Sequence, residues 1–212
     1  TPNPAIADTV STYDPATSVP VTDAVITRTN AELIAETLRE VGRGRKVALV
    51  ADIPRILWIA DDFDKVLRGV KPTAKSMMDF GSREDMEEFA YGPASDVSSI
   101  RPLVRLMLTQ GSLAVREAAT SAVPEAEADV VLSTIHKAKG RQWPTVRIAA
   151  STASLLPATQ EVSGFGPQDI DTLMLLYVAM TRPRTHLAIP QGIVDGVLHL
   201  HRRLTAPATP II

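Results

Sequence analysis

Five short runs of apolar, β-branched residues constrain this chain more than anything else in it: AVIT (24–27), KVALVA (46–51), DVVLSTI (129–135), TVRIAA (145–150) and HLAI (186–189). They are continuous rather than alternating, so each reads as a strand covered on both faces, the habit of parallel sheets layered with helices. Between the first two runs lies TNAELIAETLREVG. Thr29 and Glu32 stand there at capping-box spacing, Leu33, Ile34, Leu38 and Val41 form an apolar stripe, and Gly42 offers a stop. Strand, helix and strand within about thirty residues is the size of a βαβ unit. The expected class is α/β, a mostly parallel sheet flanked by helices.

The chain between the second and third runs has another texture. IPRILWIADDFDKVLRG places Ile56, Ile59, Phe63, Val66 and Leu67 at helical spacing, with Pro54 tolerable in the first turn. SREDMEEFA offers Ser82 as an N-cap followed by acids. SSIRPLVRLMLTQG and LAVREAATSAV continue the helical pattern, the first starting near Pro102. Further on, QDIDTLMLLYVAMTRPR (168–184) reads as a helix with Leu173, Leu176, Tyr177 and Met180 on one side. Pro183 ends it at Arg182, and the strand THLAI follows at once. The expected organisation is an α/β domain of residues 1–51 and 125–212, interrupted by an all-helical insertion at 52–124, with a frayed C-terminal APATPII.

Composition narrows the function classes. With 212 residues, 45% hydrophobic and 22% charged, the chain can bury a substantial core. A formal charge of −2 supplies no global basic face, so any nucleic-acid contact has to come from a local patch. The absence of Cys excludes disulfides and thiolate metal sites and fits a reducing compartment. No apolar run approaches the roughly 18 residues of a membrane span, so no membrane partner is expected. The opening TPNPAIADTVSTYDPATSVPVTD lacks the basic n-region of a signal peptide, and with no initiator Met it reads as part of something longer.

Two fragments imitate a nucleotide site. GVKPTAKS (69–76) matches the phosphate-loop pattern except that Ala74 stands where the second Gly belongs, and Pro72 removes a further N–H donor. LWIADDF resembles a strand ending in metal-binding acids, but it precedes the loop it should follow and carries helical spacing. A solvated helix-to-helix linker is the better reading, and no metal ligands are expected in the chain.

The densest signal is DVVLSTIHKAKGRQW, an apolar strand that runs into a basic turn. Thr134, His136, Lys139, Gly140, Arg141, Gln142 and Trp143 resemble motif V of the superfamily 1 helicases related to UvrD, Rep and PcrA, where the pattern is T-x-H-x-x-K-G-L-E and then an aromatic residue. Leu176, Tyr177, Val178, Ala179, Thr181 and Arg182 resemble the L-Y-V-A-x-T-R of their motif VI. AVITRTNAEL resembles the R-T-N segment that opens the second motor domain, and SLLP (154–157) stands between the last two motifs as in the family. The resemblance covers about two-thirds of the chain. The short insertion and STIHKAKGRQW are similar to the branch that includes the F-box DNA helicases.

The resemblance implies a RecA-like domain of the P-loop NTPase kind, without its own phosphate loop. It would be the second motor domain (2A) with a reduced 2B insertion. ATP and magnesium would bind mainly to the N-terminal motor domain of the same protein. The other implied partner is single-stranded DNA, in DNA repair or related transactions. The setting would be cytoplasmic, at the nucleoid of a bacterium, or otherwise intracellular.

Arg182 matches the family's arginine finger, whose planar, permanently charged fork suits charge spread over phosphoryl oxygens; the alternative is a solvated Arg favoured by a helix C-terminus. Gly140 would allow close approach of backbone to a ligand or partner domain. Gln142 occupies the position of a ribose-contacting Glu, and its amide keeps an acceptor without the charge. Thr134, His136 and Lys139 match DNA-facing positions, and a hydroxyl, an imidazole and an ammonium suit phosphate contacts without base readout. His136 could instead satisfy a buried turn. Lys137 and Arg141 read equally as solvated charges or as phosphate contacts. Arg28 belongs to the R-T-N element, facing DNA or the domain interface, and Asn30 reads as the start of a helix. Tyr177 and Trp143 read as core and turn packing.

Departures from the pattern are Gln142, Pro183 in place of the usual Ala, and the stretch Asp171, Thr172, Leu173 and Met174, where only Asp171 keeps the acidic character. The upstream element that supplies a second phosphate-contacting Arg in the family is not found, as expected of a chain that begins part-way. The reading is an ATP-dependent helicase or translocase as part of a larger protein, inactive as this piece alone. The alternative is a non-catalytic helicase-like module for DNA binding or protein interaction.

Overall fold

The computed structural model describes residues 9–92, 100–155 and 167–205. The APATPII end expected to fray, Leu156 and Pro157 of SLLP, and Ser98 and Ser99 at the expected helix start lie outside the described residues. Six strands form one sheet in the order β1-β6-β5-β2-β4-β3. They are β1 (Thr9–Tyr13), β2 (Ala24–Thr27), β3 (Val47–Val50), β4 (Val130–Thr134), β5 (Trp143–Ile148) and β6 (Pro183–Pro190). The sheet is parallel, as the registers of β1 with β6, β2 with β5, β3 with β4 and β5 with β6 all run. Every residue of β2 and β4 is buried, which is why those runs are apolar without alternation. The fold is α/β and RecA-like, as the sequence led one to expect.

By their contacts the residues fall into two compact units, Thr1–Ile26 with Ala138–Ile212, and Thr27–Lys137. In the first, β5 pairs with β6 and β6 with β1. Strand β1 was not among the five expected runs. Its pattern is polar because it is an edge, with Val10 53% exposed, and only Tyr13 turns inward, donating its hydroxyl to the Ile148 carbonyl at 2.6 Å. Strand β5 begins at Trp143, two residues ahead of the apolar run, and a bulge between Trp143 and Thr145 accommodates Pro144. Pro183 opens β6 opposite Trp143, a first-residue position where a strand tolerates the missing N–H. The Asp23 carboxylate fastens β5 by accepting from the Thr145 N–H at 2.9 Å and hydroxyl at 2.7 Å. Helix α7 (Gln191–Thr205) packs against β6 and β1, with Ile193 buried.

In the second unit, α1 (Asn30–Gly42) starts as expected. Thr29 Oγ1 accepts from the Glu32 N–H at 3.2 Å, and Glu32 Oε2 accepts from the N–H groups of Thr29 and Arg28 at 3.2 and 2.8 Å. Its far end departs from expectation. Gly42 stays helical, and Gly44 makes the left-handed turn at φ 77°, donating to the Val41 carbonyl at 2.8 Å. Leu33 and Ile34 are buried, but Val41 is 42% exposed while Glu36 and Glu40 are buried. Those carboxylates are held by arginines: Glu36 by Arg39, and Glu40 by Arg43 at 3.2 Å and Arg45 at 2.9 Å.

Among the described residues, four α-helices lie between β3 and β4: α2 (Ile53–Leu67), α3 (Arg83–Tyr91), α4 (Arg101–Gln110) and α5 (Ser112–Thr120). Asp52 caps α2 and Pro54 sits in its first turn; Ile56, Ile59, Phe63 and Val66 are buried, whereas Leu67 is exposed. Ser82 and Asp85 form a capping box on α3. Gly111, at φ 85° and ψ 151°, is at once the end of α4 and the start of α5. That corner of backbone space is all but closed to other residues. Helices α4 and α5 pack on α1, and α5 on α2.

Candidate functional site

The basic turn follows β4. Its N–H at Ile135 donates to the Thr27 carbonyl at 2.9 Å, which carries the β4 pairing one residue past the strand. Thr27 and Ile135 thus bring Arg28 and His136 to the carboxyl ends of neighbouring parallel strands. Such ends are where open α/β sheets bind ligands. The α1 N-terminus opens at the same place, next to Arg28. Arg28 is half-buried and its side chain has no hydrogen bond or ion pair among the described residues. His136 is exposed and equally without a partner there, so it does not satisfy a buried turn. Thr134 is buried, 6% exposed, with its carbonyl accepting from Ser133 Oγ at 3.1 Å. Lys137 is exposed.

In the other unit, Ala138 is fully buried and anchors the rest of the turn, whose Arg141 N–H donates to the Ala138 carbonyl at 3.0 Å. Lys139, Gly140, Arg141 and Gln142 are all exposed. Gly140 has φ 80°, and among the described residues, its two chain neighbours aside, no atom lies within 4 Å of the place a Cβ would take. Its glycine is thus demanded by backbone conformation, and the space beside it is open. Trp143 is buried and its N–H donates to the Arg182 carbonyl at 3.1 Å, as packing at the turn required.

That bond leads to α6 (Pro167–Met180), which stops two residues short of the expected Arg182. Thr181 takes over the helix end, donating its N–H and Oγ1 to the Tyr177 carbonyl at 3.1 and 2.9 Å. Arg182 folds back over it. Its Nε donates to the Val178 carbonyl at 2.8 Å, Nη2 to Thr181 Oγ1 at 2.8 Å, and Nη1 to the Arg141 carbonyl at 3.3 Å. All three acceptors are neutral, and among the described residues no carboxylate pairs with Arg182. A half-exposed guanidinium with uncompensated charge can receive an oxyanion. Arg184 was not singled out from the sequence; its Nη2 reaches the Gln142 carbonyl at 3.5 Å, so both arginines brace the same turn. Tyr177 departs from expectation. It is 59% exposed and lies with Ile170 and Met174, also exposed, at helical spacing along α6.

The phosphate-loop imitation is occupied by the protein's own anion. The N–H groups of Thr73 and Ala74 both donate to Asp62 Oδ2, the former at 2.7 Å, and Lys65 Nζ reaches Oδ1 at 2.6 Å. Burial by itself would raise the Asp62 pKa, but Lys65, the Ala74 and Thr73 N–H groups and the Thr73 hydroxyl together hold it below the usual carboxylate range. Asp61 and Asp64, the other acids of that stretch, pair with Arg116, Asp64 at 2.6 Å. Among the described residues no group of three or more His, Asp or Glu could hold a metal ion. None of the described helices is long and apolar enough to cross a membrane.

A family model described as the UvrD-like helicase C-terminal domain matches residues 67–191. The match contains the basic turn and Arg182, and leaves Arg28 outside it. No curated protein matches the chain.

Proposed function

Because the chain belongs to the UvrD-like helicase C-terminal domain family, and so to a group of helicase motor domains, we propose that it is the second motor domain of an ATP-dependent helicase or translocase acting on single-stranded DNA. Residues 1–51 and 125–212 form the motor domain and 52–124 a reduced insertion. ATP sits against the phosphate-loop domain of the same protein, which also supplies the ligands for magnesium, since the acids of this chain's LWIADDF stretch and the adjoining Asp64 are spent on Arg116 and on the loop at 73–74. Arg182 reaches the transferring phosphoryl group when the two domains close. The observation that carries this role is its guanidinium charge, left uncompensated at the end of α6 and steadied by three neutral acceptors.

His136 and Arg28 each take a phosphate at the carboxyl ends of β4 and β2, where Thr134 shapes the end of β4, and Lys139 takes one from the turn. Gly140 keeps the turn open beside the nucleotide, and Gln142 offers its amide to the ribose. The test is the parent protein with Arg182→Ala. Loss of DNA-stimulated ATP hydrolysis with strand binding retained supports the reading. Wild-type turnover overturns it and leaves a helicase-like module that binds without catalysing.

A further inference from the structure

The helical stretch after β3 holds a second feature, remote in sequence from the turn and Arg182. A cleft of about 790 Å³ is lined by Asp52, Arg55, Trp58, Ala74, Lys75 and Ser76, among others. Trp58 is 49% exposed in it, an unusual position for the largest apolar side chain. The ring is not loose. Its Nε1 donates to Thr73 Oγ1 at 2.9 Å, and Thr73 is itself bound to the buried Asp62 carboxylate. A network with a buried charge at its root thus fixes an indole at the surface. Arg55 and Lys75 flank it, both exposed, and neither side chain has a hydrogen bond or ion pair among the described residues. Asp52 is the acid that lines the cleft, and its Oδ1 caps α2 by accepting from the Arg55 N–H at 3.3 Å.

We propose that this cleft is a stacking site for single-stranded nucleic acid, with an unpaired base on the Trp58 ring and the flanking phosphates on Arg55 and Lys75. The indole N–H is already used, so the ring offers only its π face, which any unpaired base can meet and a base inside a duplex cannot. Two free cations beside an immobile aromatic ring are the elements of sequence-tolerant strand binding. The partner class rests on the proposed function, while the site and its residues are separate from those assigned there.

The test uses the full chain with a short labelled oligodeoxythymidylate and an abasic strand of equal length, read by label anisotropy and by tryptophan fluorescence. Trp143 is buried, so Trp58 carries the stacking response. Expected results are quenching by the thymidylate and not by the abasic strand, and affinity about 5- to 100-fold weaker in Trp58→Ala. Trp58→Phe should recover part of the affinity, and Arg55→Ala with Lys75→Ala should weaken both strands alike. Binding without quenching, or unchanged affinity in a folded Trp58→Ala, overturns the site and leaves the DNA-binding reading intact. No anisotropy change with either strand overturns the site as well, and leaves the proposed function to its own test in the parent protein.

Discussion

Arg182 Nη1 donates to the carbonyl of Arg141 at 3.3 Å, so the end of α6 and the basic turn before β5 are tied through one guanidinium. The link makes the position of Arg182 depend on the turn, and the turn's shape on Arg182. Replacing Arg182 by Ala removes both the charge and the brace. In the parent protein we expect ATP turnover to fall by about 10³-fold or more, the range for a lost arginine finger. Lys should recover little, because a point charge cannot reproduce the fork. Steady-state hydrolysis with saturating single-stranded DNA measures it. The isolated chain should show no hydrolysis above background.

Gly111 gives a prediction independent of function. At φ 85° and ψ 151° it joins α4 to α5, and among the described residues, its chain neighbours aside, nothing lies within 4 Å of the place a methyl group would take. Gly111→Ala should therefore destabilise through backbone strain alone, by about 1–3 kcal/mol. Thermal unfolding monitored by circular dichroism would register this as a lowered midpoint. An unchanged midpoint would mean that the helix junction relaxes without loss.

Much of this fold was legible because its signals are local. Thr29 with Glu32 and Ser82 with its acids cap helices through bonds spanning three residues, so spacing alone reveals them. The basic turn and the end of α6 are likewise contiguous strings. What sequence could not show depends on distant partners. Val41 looks like core at helical spacing, yet Glu40 is buried instead because Arg45, beyond the helix, reaches back to it. Strand β1 is polar because it pairs on one side with β6, 175 positions away at the Ser11–His186 contact. Arg184 escaped notice since its acceptor, the Gln142 carbonyl, lies 42 positions upstream.

Asp62 should make the helical stretch sensitive to acid. Its carboxyl is held below the usual range in the folded state, so the unfolded chain takes up the proton first as pH falls. The contribution is complete at neutral pH and is lost as pH falls below the ordinary value of 3.8 and through the lower folded-state value. Asp62→Ala orphans the N–H groups of Thr73 and Ala74 and should cost on the order of 3 kcal/mol at pH 7. Denaturant unfolding at a series of pH values would test the sign. The gap between wild type and variant should narrow in acid, and a gap that widens would contradict the assignment.

Salt dependence separates phosphate contacts from the rest of the strand interface. Arg28 and His136 stand at the carboxyl ends of β2 and β4, and Lys139 is exposed in the turn. Each phosphate neutralised on a single strand contributes about 0.7 to the slope of log K against log salt. Lys139→Ala should thus flatten the slope by about that amount and weaken all sequences alike, since a phosphate contact reads no base. Arg28→Ala should do the same, and the double variant should flatten it about twice as far if the two engage separate phosphates. Titrations of the parent protein at several salt concentrations decide the matter. A slope unmoved by either change would remove these residues from the strand path, whatever the fate of Arg182.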